Sequence, residues 1–258
     1  MKTILISALL LLSFKGFSQV NLYAFSNGDF VTEKKIKEFI TAGKKTLPAT
    51  LDLQAIIYHK VIKPDTVINY IKFVQSKKSL ALNPALEERH IAKSDAIKLD
   101  YVQDSIFLLL NKKLPSFKLK NLEGKEVAMI DFIGKPLLIN FWAIWCTPCV
   151  AEMPSLSLLK QKYADKMNFI SITGESAIDD GLVDFLKDKG FNFEVLEKGE
   201  DFKKELKIRA LPVNLFIDKY GVLRFIEGNY PLASIGNPYP LDDKNNFFVT
   251  KIEELIKE

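Results

Sequence analysis

Thiols and imidazoles are scarce in this chain. Its 258 residues hold two cysteines and two histidines, and Cys146 and Cys149 both fall within one short stretch, FWAIWCTPC, Phe141 to Cys149. So few cysteines exclude the dense disulfide framework of a small secreted scaffold. His59 and His90 lie far upstream and far apart, so a zinc site, which needs two ligands beyond the cysteine pair, is disfavoured. Neither a metal nor a cofactor is expected. Covalent haem attachment needs a histidine directly after the second cysteine, and Val150 stands there. Charge of one sign is also lacking: the net charge is +4 and the lysines are scattered, which argues against a nucleic-acid partner. Beyond the first residues no apolar run is long enough to cross a bilayer. Internal repeats at solenoid spacing and low-complexity tracts are absent too.

The first residues, MKTILISALLLLSFKGFSQ, carry the pattern of a secretory signal peptide. Lys2 is the positive start, Thr3 to Phe14 an apolar run, and Gly16 and Ser18 small residues at the cleavage position. Lys15 interrupts the run well short of the roughly 20 apolar residues a span requires. The expectation is a signal peptide over 1–18, cleavage near Gln19, and an exported, periplasmic or otherwise extracytoplasmic chain without a stable membrane span. No cysteine follows the cleavage position, which disfavours a lipid anchor.

Over 19–113 the signals are mainly helical. Ile36, Phe39 and Ile40 recur at helical spacing after a cap at Thr32. Asp65, after Pro64, is read as the cap of a helix with Val67, Ile68, Ile71 and Val74 on one face. Asn83-Pro84 marks a further helix start, and Ile97, Tyr101, Ile106 and Leu110 another helix. Residues 51–61 fit helix or strand. At Leu114-Pro115 the texture changes. Short strands are expected at 116–119 and 127–130, joined through Glu123-Gly124. Leu137 to Trp142 reads as a buried central strand, followed by a helix and a strand at Asn168 to Thr173. A helix over 180–189, a strand at 193–196, and a hairpin at 213–227 turning at Tyr220-Gly221 come next. The chain closes on an amphipathic helix with Phe248, Ile252 and Leu255 on one face. This is an α/β domain over 114–258, preceded by a mainly helical region of unknown role.

Within β-α-β surroundings a C-x-x-C pair reads as a redox motif. As a staple it is nearly useless, because a disulfide gains most when it closes a long loop. The cysteines fall where the strand ends and the helix begins, with Pro148 suited to the first helical turn. Unpaired N–H groups and the positive end of the helix dipole favour a thiolate there. Cys146, the more N-terminal, is expected to be the more exposed and the nucleophile; Cys149, one turn inward, is expected to resolve the mixed disulfide.

FWAIWCTPC, then Glu152 and Pro154, then ALPVNLFID at Ala210 to Asp218, resemble the thioredoxin-like thiol:disulfide oxidoreductases, specifically the exported TlpA/ResA branch. The resemblance runs from about Leu114 to the C-terminus and includes PSFKLKNLEGKEV. It implies a thioredoxin-like fold, a central mixed β-sheet flanked by helices, with Cys146 and Cys149 as the redox-active disulfide. It also makes Pro212 the family's cis-proline beside the cysteines, although trans is the default for a proline in general. Leu211 would offer its backbone to an extended substrate peptide. Trp145, Thr147 and Pro148 are the further substrate-contacting positions. Pro154 matches the proline that bends the first helix.

Two positions depart from a plain thioredoxin. Asn140 stands where thioredoxin carries a buried aspartate that transfers protons, and an amide cannot do that. Glu152 matches a glutamate that ResA-like members place near the cysteines, one helical turn beyond Cys149, where burial raises a carboxyl pKa. The other reading of Glu152 is a solvated residue early in a helix. Relatives are typically reductants of protein thiol clients, as in cytochrome c maturation, fed by a membrane electron donor. A thiol peroxidase is disfavoured because Ala143 and Ile139 occupy the positions where that class wants a hydroxyl residue and a proline. A binding protein, in which 19–113 grips a partner, is the alternative outside enzymology.

Overall fold

The computed structural model describes residues 20–25, 30–48, 50–77, 99–102, 104–178, 180–234 and 236–257. The expected signal peptide and the helix expected at Asn83-Pro84 lie outside these residues. The chain forms two compact units, the first running to Tyr101 and the second beginning at Val102.

The N-terminal unit departs from expectation. Among the described residues of the unit one helix forms, α1 (Glu33–Thr46), and Thr32 caps it as expected, its hydroxyl accepting the Lys35 N–H at 3.2 Å. The rest of the described unit is sheet: β1 (Val20–Ala24), β2 (Phe30–Val31), β3 (Leu51–Ile62), β4 (Thr66–Lys77) and β5 (Asp100–Tyr101), in the order β2-β1-β4-β3-β5. The stretch read as a helix after Asp65 is β4, and residues 51–61 resolve as β3. Both runs are rich in β-branched and aromatic residues, which pack well on a pleated surface and lose rotamer freedom in a helix. Lys63-Pro64-Asp65 is the turn of a long antiparallel hairpin, closed by the Lys63 N–H on the Thr66 carbonyl at 2.8 Å. Ile36 from α1 packs with Ala55, Ile57 and Ile71 from the sheet. Tyr101 is in β5 and Ile106 in a 3₁₀ turn (Ser105–Leu109), so the helix expected through them does not form.

That 3₁₀ turn belongs to the second unit, because Ile106 buries itself beside Leu114, Phe117 and Leu137. The unit continues through β6 (Lys118–Asn121), β7 (Glu126–Ala128), β8 (Leu137–Trp142), α2 (Thr147–Tyr163), β9 (Asn168–Thr173), α3 (Leu182–Lys189) and β10 (Glu194–Glu197). There follow α4 (Glu200–Glu205), β11 (Val213–Ile217), β12 (Leu223–Glu227), β13 (Leu232–Ser234), β14 (Asn237–Pro238) and α5 (Phe247–Lys257). Seven strands form one sheet in the order β12-β11-β8-β9-β10-β6-β7. β8, β9 and β10 are parallel; β11 runs antiparallel to β8, and β12 to β11. A β-α-β unit, an antiparallel hairpin and a closing helix in this order are the thioredoxin-like fold that the resemblance implies.

Every residue of β8 is buried, as expected of an apolar run broken only by Asn140. Leu138 and Trp142 point into a cluster with α2, α3 and α5, and Leu137, Ile139 and Phe141 into a second cluster with Phe202 and Leu206. Phe248, Ile252 and Leu255 of α5 are buried together, as their spacing predicts. Gly124 and Gly221, the two turn glycines read from the sequence, have φ of +79° and +82°, the left-handed region where a side chain is strained.

Candidate active site

β8 delivers the cysteines. After Trp142 the chain makes a tight turn, closed by the Cys146 N–H on the Ala143 carbonyl at 3.0 Å. Cys146 is the N-cap of α2, and its sulfur accepts the Cys149 N–H at 3.3 Å. Helix ends leave such N–H groups without intrahelical partners, so this donor and the dipole behind it stabilise negative charge on the Cys146 sulfur. Cys146 and Cys149 are joined as a disulfide, Cα atoms 5.3 Å apart. Cys146 is 4% exposed and Cys149 1%. Both cysteines of the disulfide are therefore buried, and exposure does not distinguish them.

Around the pair the expected positions separate by exposure. Trp145 is 75% exposed, and Thr147 and Pro148 are exposed beside it. Trp142, by contrast, is packing: it is buried, stacks on Phe185, and its indole N–H donates to the Ser171 hydroxyl at 3.3 Å. The Leu211–Pro212 peptide is cis. Val213 pairs with Phe141 across β11 and β8, which sets Pro212 level with Trp142, at the sheet end where the cysteine turn begins. Leu211 is half-buried and Pro212 buried. Pro154 does not end the helix, which runs on to Tyr163.

The centre of the site is polar and buried. Asn140 and Asn214 are cross-strand partners on β8 and β11, on the face that α2 covers, and the Asn140 amide donates to Asn214 Oδ1 at 3.0 Å. Above them sits the Glu152 carboxyl, 5% exposed, so the solvated-helix reading fails. Its Oε1 accepts Asn140 Nδ2 at 2.8 Å and Asn214 Nδ2 at 3.4 Å, and its Oε2 accepts the Tyr230 N–H at 2.7 Å. Burial pushes the pKa up to about 8, against the opposing pull of those three donors. A small cavity of about 150 Å³, lined by Pro148, Ala151, Ser155 and Tyr230, opens onto this carboxyl. Asn140 therefore does not replace thioredoxin's aspartate; it holds the carboxyl that stands near its place.

Asn214 and Tyr230 escape the sequence reading. An asparagine inside the apolar run VNLFI was the available signal for the first. Tyr230 contributes a backbone N–H, which no side-chain pattern reveals. Among the described residues no group of three or more His, Cys, Asp or Glu is arranged to hold a metal ion.

Residues 110–226 match the AhpC/TSA family. Thiol-disulfide oxidoreductase ResA of Bacillus thuringiensis subsp. konkukian is 36% identical over 121 residues, 46% of this chain and 70% of the relative. The chain belongs to the family of ResA thiol-disulfide oxidoreductases. Thioredoxin-like protein YneN of Bacillus subtilis is 29% identical over 128 residues, 49% of this chain and 75% of the relative. A solved thioredoxin domain of a thiol-disulfide oxidoreductase from Bacteroides vulgatus superposes with a TM-score of 0.47 at 16% identity, covering 57% of this chain and 97% of its own. Membership in the ResA family makes the protein a thiol-disulfide oxidoreductase. Residues 110–226, matched by the family, lie within the second unit and include the Cys146–Cys149 pair.

Proposed function

We propose that this ResA-family protein is exported and reduces disulfides in protein clients, with Cys146 as nucleophile, Cys149 as resolving thiol and Glu152 as proton carrier. The observation that carries the reading is the Cys146 sulfur at the α2 N-cap, accepting the Cys149 N–H. A reduced Cys146 thiolate attacks one sulfur of the client disulfide, forming a mixed disulfide and releasing the first client thiolate. Cys149 loses its proton and attacks Cys146, which re-forms the internal disulfide and releases the second client thiolate. Two electrons pass from the pair to the client. A thiol near its free pKa of about 8.5 gives up its proton slowly at neutral pH. Glu152, whose pKa burial pushes up to about 8, takes that proton in its ionised form.

Trp145, Thr147 and Pro148 form the client-facing rim, and the Leu211 backbone pairs with an extended client segment. Re-reduction requires a donor of two electrons, which in an oxidising compartment is a membrane thiol protein. The signal-like run Lys2 to Ser18 supports export. Among the described residues no helix is long and apolar enough to cross a membrane.

The test is trapping. Cys149→Ser is expected to stall on a client as a covalent mixed disulfide at Cys146, while Cys146→Ser forms none and loses all turnover. A trapped complex through Cys149 in Cys146→Ser, and none in Cys149→Ser, reverses the roles.

A further inference from the structure

A second carboxyl, Glu175, grips the cysteine turn itself. Glu175 follows β9. Its Oε1 accepts the N–H of Ile144 at 3.1 Å, and its Oε2 accepts the hydroxyl of Thr173, a residue 1% exposed. Ile144 is the second residue of the turn that ends at Cys146. The main chain behind Glu175 is pinned as well: its carbonyl accepts the Lys198 N–H at 3.0 Å, and the Thr173 carbonyl accepts the Gly199 N–H at 2.7 Å. The side chain is thus anchored at the end of β9 and reaches across to the loop that positions the nucleophile.

Fastening alone does not need a carboxylate, because a neutral amide oxygen accepts a backbone N–H equally well in geometry. The charge has a separate consequence. The loop after β9 carries further acidic groups: Asp180 accepts the Ser176 N–H at 2.7 Å, and Glu197, on β10, accepts the Ala177 N–H at 2.6 Å. Glu200 is paired with Lys203 at 2.6 Å, which spends the positive charge of that lysine locally. The Cys146 sulfur therefore feels two opposed fields, the α2 N-terminus that favours a thiolate and the carboxylate at Ile144 that opposes it.

We propose that Glu175 is a positioning residue that also sets the reduction potential of the Cys146–Cys149 pair. The proposal rests on the reading of the pair as a dithiol reductant. Thiolate at Cys146 lowers the free energy of the reduced protein and leaves the disulfide form unaffected. A pair with a strongly stabilised thiolate is therefore an oxidant, and one whose thiolate is opposed is a reductant. Glu175 shifts the balance toward reductant, and in this way supplies a direction that the cysteine motif alone does not.

Glu175→Gln separates charge from fastening, since the amide oxygen still accepts the Ile144 N–H. The expected result is a lower Cys146 thiol pKa in iodoacetamide titrations. The equilibrium with glutathione should move toward the dithiol by about threefold to tenfold, the upper figure equal to about 30 mV for two electrons. The melting temperature of the oxidised protein is expected to stay at its wild-type value. Glu175→Ala loses the fastening too, and should add slower mixed-disulfide formation to the same shift in potential. Wild-type thiol titration and wild-type glutathione equilibrium in Glu175→Gln would overturn the proposal and leave Glu175 as a loop fastener. A wild-type protein that exchanges with glutathione but reduces no client disulfide would overturn the proposed function instead, with the effect of Glu175 on potential intact.

Discussion

The two units bury different things. In the N-terminal unit a small apolar cluster around Ile36, Ala55, Ile57 and Ile71 joins one helix to one sheet. Among its described residues, Asn69 is the polar side chain that is buried. The second unit has a large apolar cluster on each face of its sheet, and between sheet and α2 it buries Asn140, Asn214 and the Glu152 carboxyl together. A buried carboxyl destabilises a fold unless donors and surrounding packing compensate. Chemistry of this kind sits where the apolar core is thick enough to carry that cost, and here the two clusters supply the thickness.

The largest expected effect tests that contrast through pH. Glu152 ionises near pH 8 when folded, against 4.5 for the unperturbed group. Below pH 4.5 both folded and unfolded chains hold the proton and the group is neutral to stability. Between the two values the unfolded chain releases it and the folded one retains it, so stability falls as pH rises. The fall amounts to on the order of 5 kcal/mol across the whole window. In Glu152→Gln the slope disappears, although a constant cost remains because the amide N–H₂ faces the Tyr230 N–H. Urea midpoints of both proteins, oxidised, at pH 5 and pH 8 check it. Parallel curves would show that the carboxyl is not held neutral, and would also remove it as the proton carrier.

Packing gives the next effect. Phe216 is fully buried between Phe225 and Phe248 in the thick core, so Phe216→Ala is expected to destabilise the second unit by about 3–5 kcal/mol. Ile71, 2% exposed, has a thinner shell that collapses more readily, and Ile71→Ala is placed near the lower end of its range, about 2 kcal/mol. Denaturation monitored by hydrogen exchange on β4 and on β11 reads the two separately. An Ile71→Ala loss as large as that of Phe216→Ala would break the distinction between a thin core and a thick one.

The same contrast explains what was legible. β8 and β9 have the expected limits because a buried parallel strand leaves a mostly apolar run, interrupted here by Asn140 in β8 and Ser171 in β9. The cysteine pair, Glu152 and Pro212 lie on motifs whose residue types are tied to their chemistry. In the N-terminal sheet Val67, Ile68, Ile71 and Val74 satisfy helical spacing, and the apolar residues of β4 fall in adjacent pairs rather than alternating. In so thin a structure both faces are half-apolar and the period is ambiguous. The β-branched content was the better guide. The short hairpin of β13 and β14 carries no periodic signal at all. Glu175 was invisible for another reason: what it grips is a backbone N–H far away in sequence.

The smallest expected effect lies in the N-terminal unit and has the opposite sign. His59, on β3, packs its ring against Tyr70 at 5.6 Å, and burial lowers its pKa from 6.5. As pH falls through 6.5 the unfolded chain takes up a proton that the folded unit still refuses, so this unit loses stability toward acid while Glu152 makes the other lose it toward alkali. Because His59 is only about half buried, solvent screening holds the effect below about 1 kcal/mol. His59→Gln should flatten the acid side of the profile for β3 and β4 amides and leave β8 and β11 unchanged. Native-state hydrogen exchange between pH 5.5 and 7.5, corrected for intrinsic rates, reads both sets in one protein. If the acid-side slope survives in His59→Gln, another group carries it, and the opposition between the two units rests on Glu152 alone.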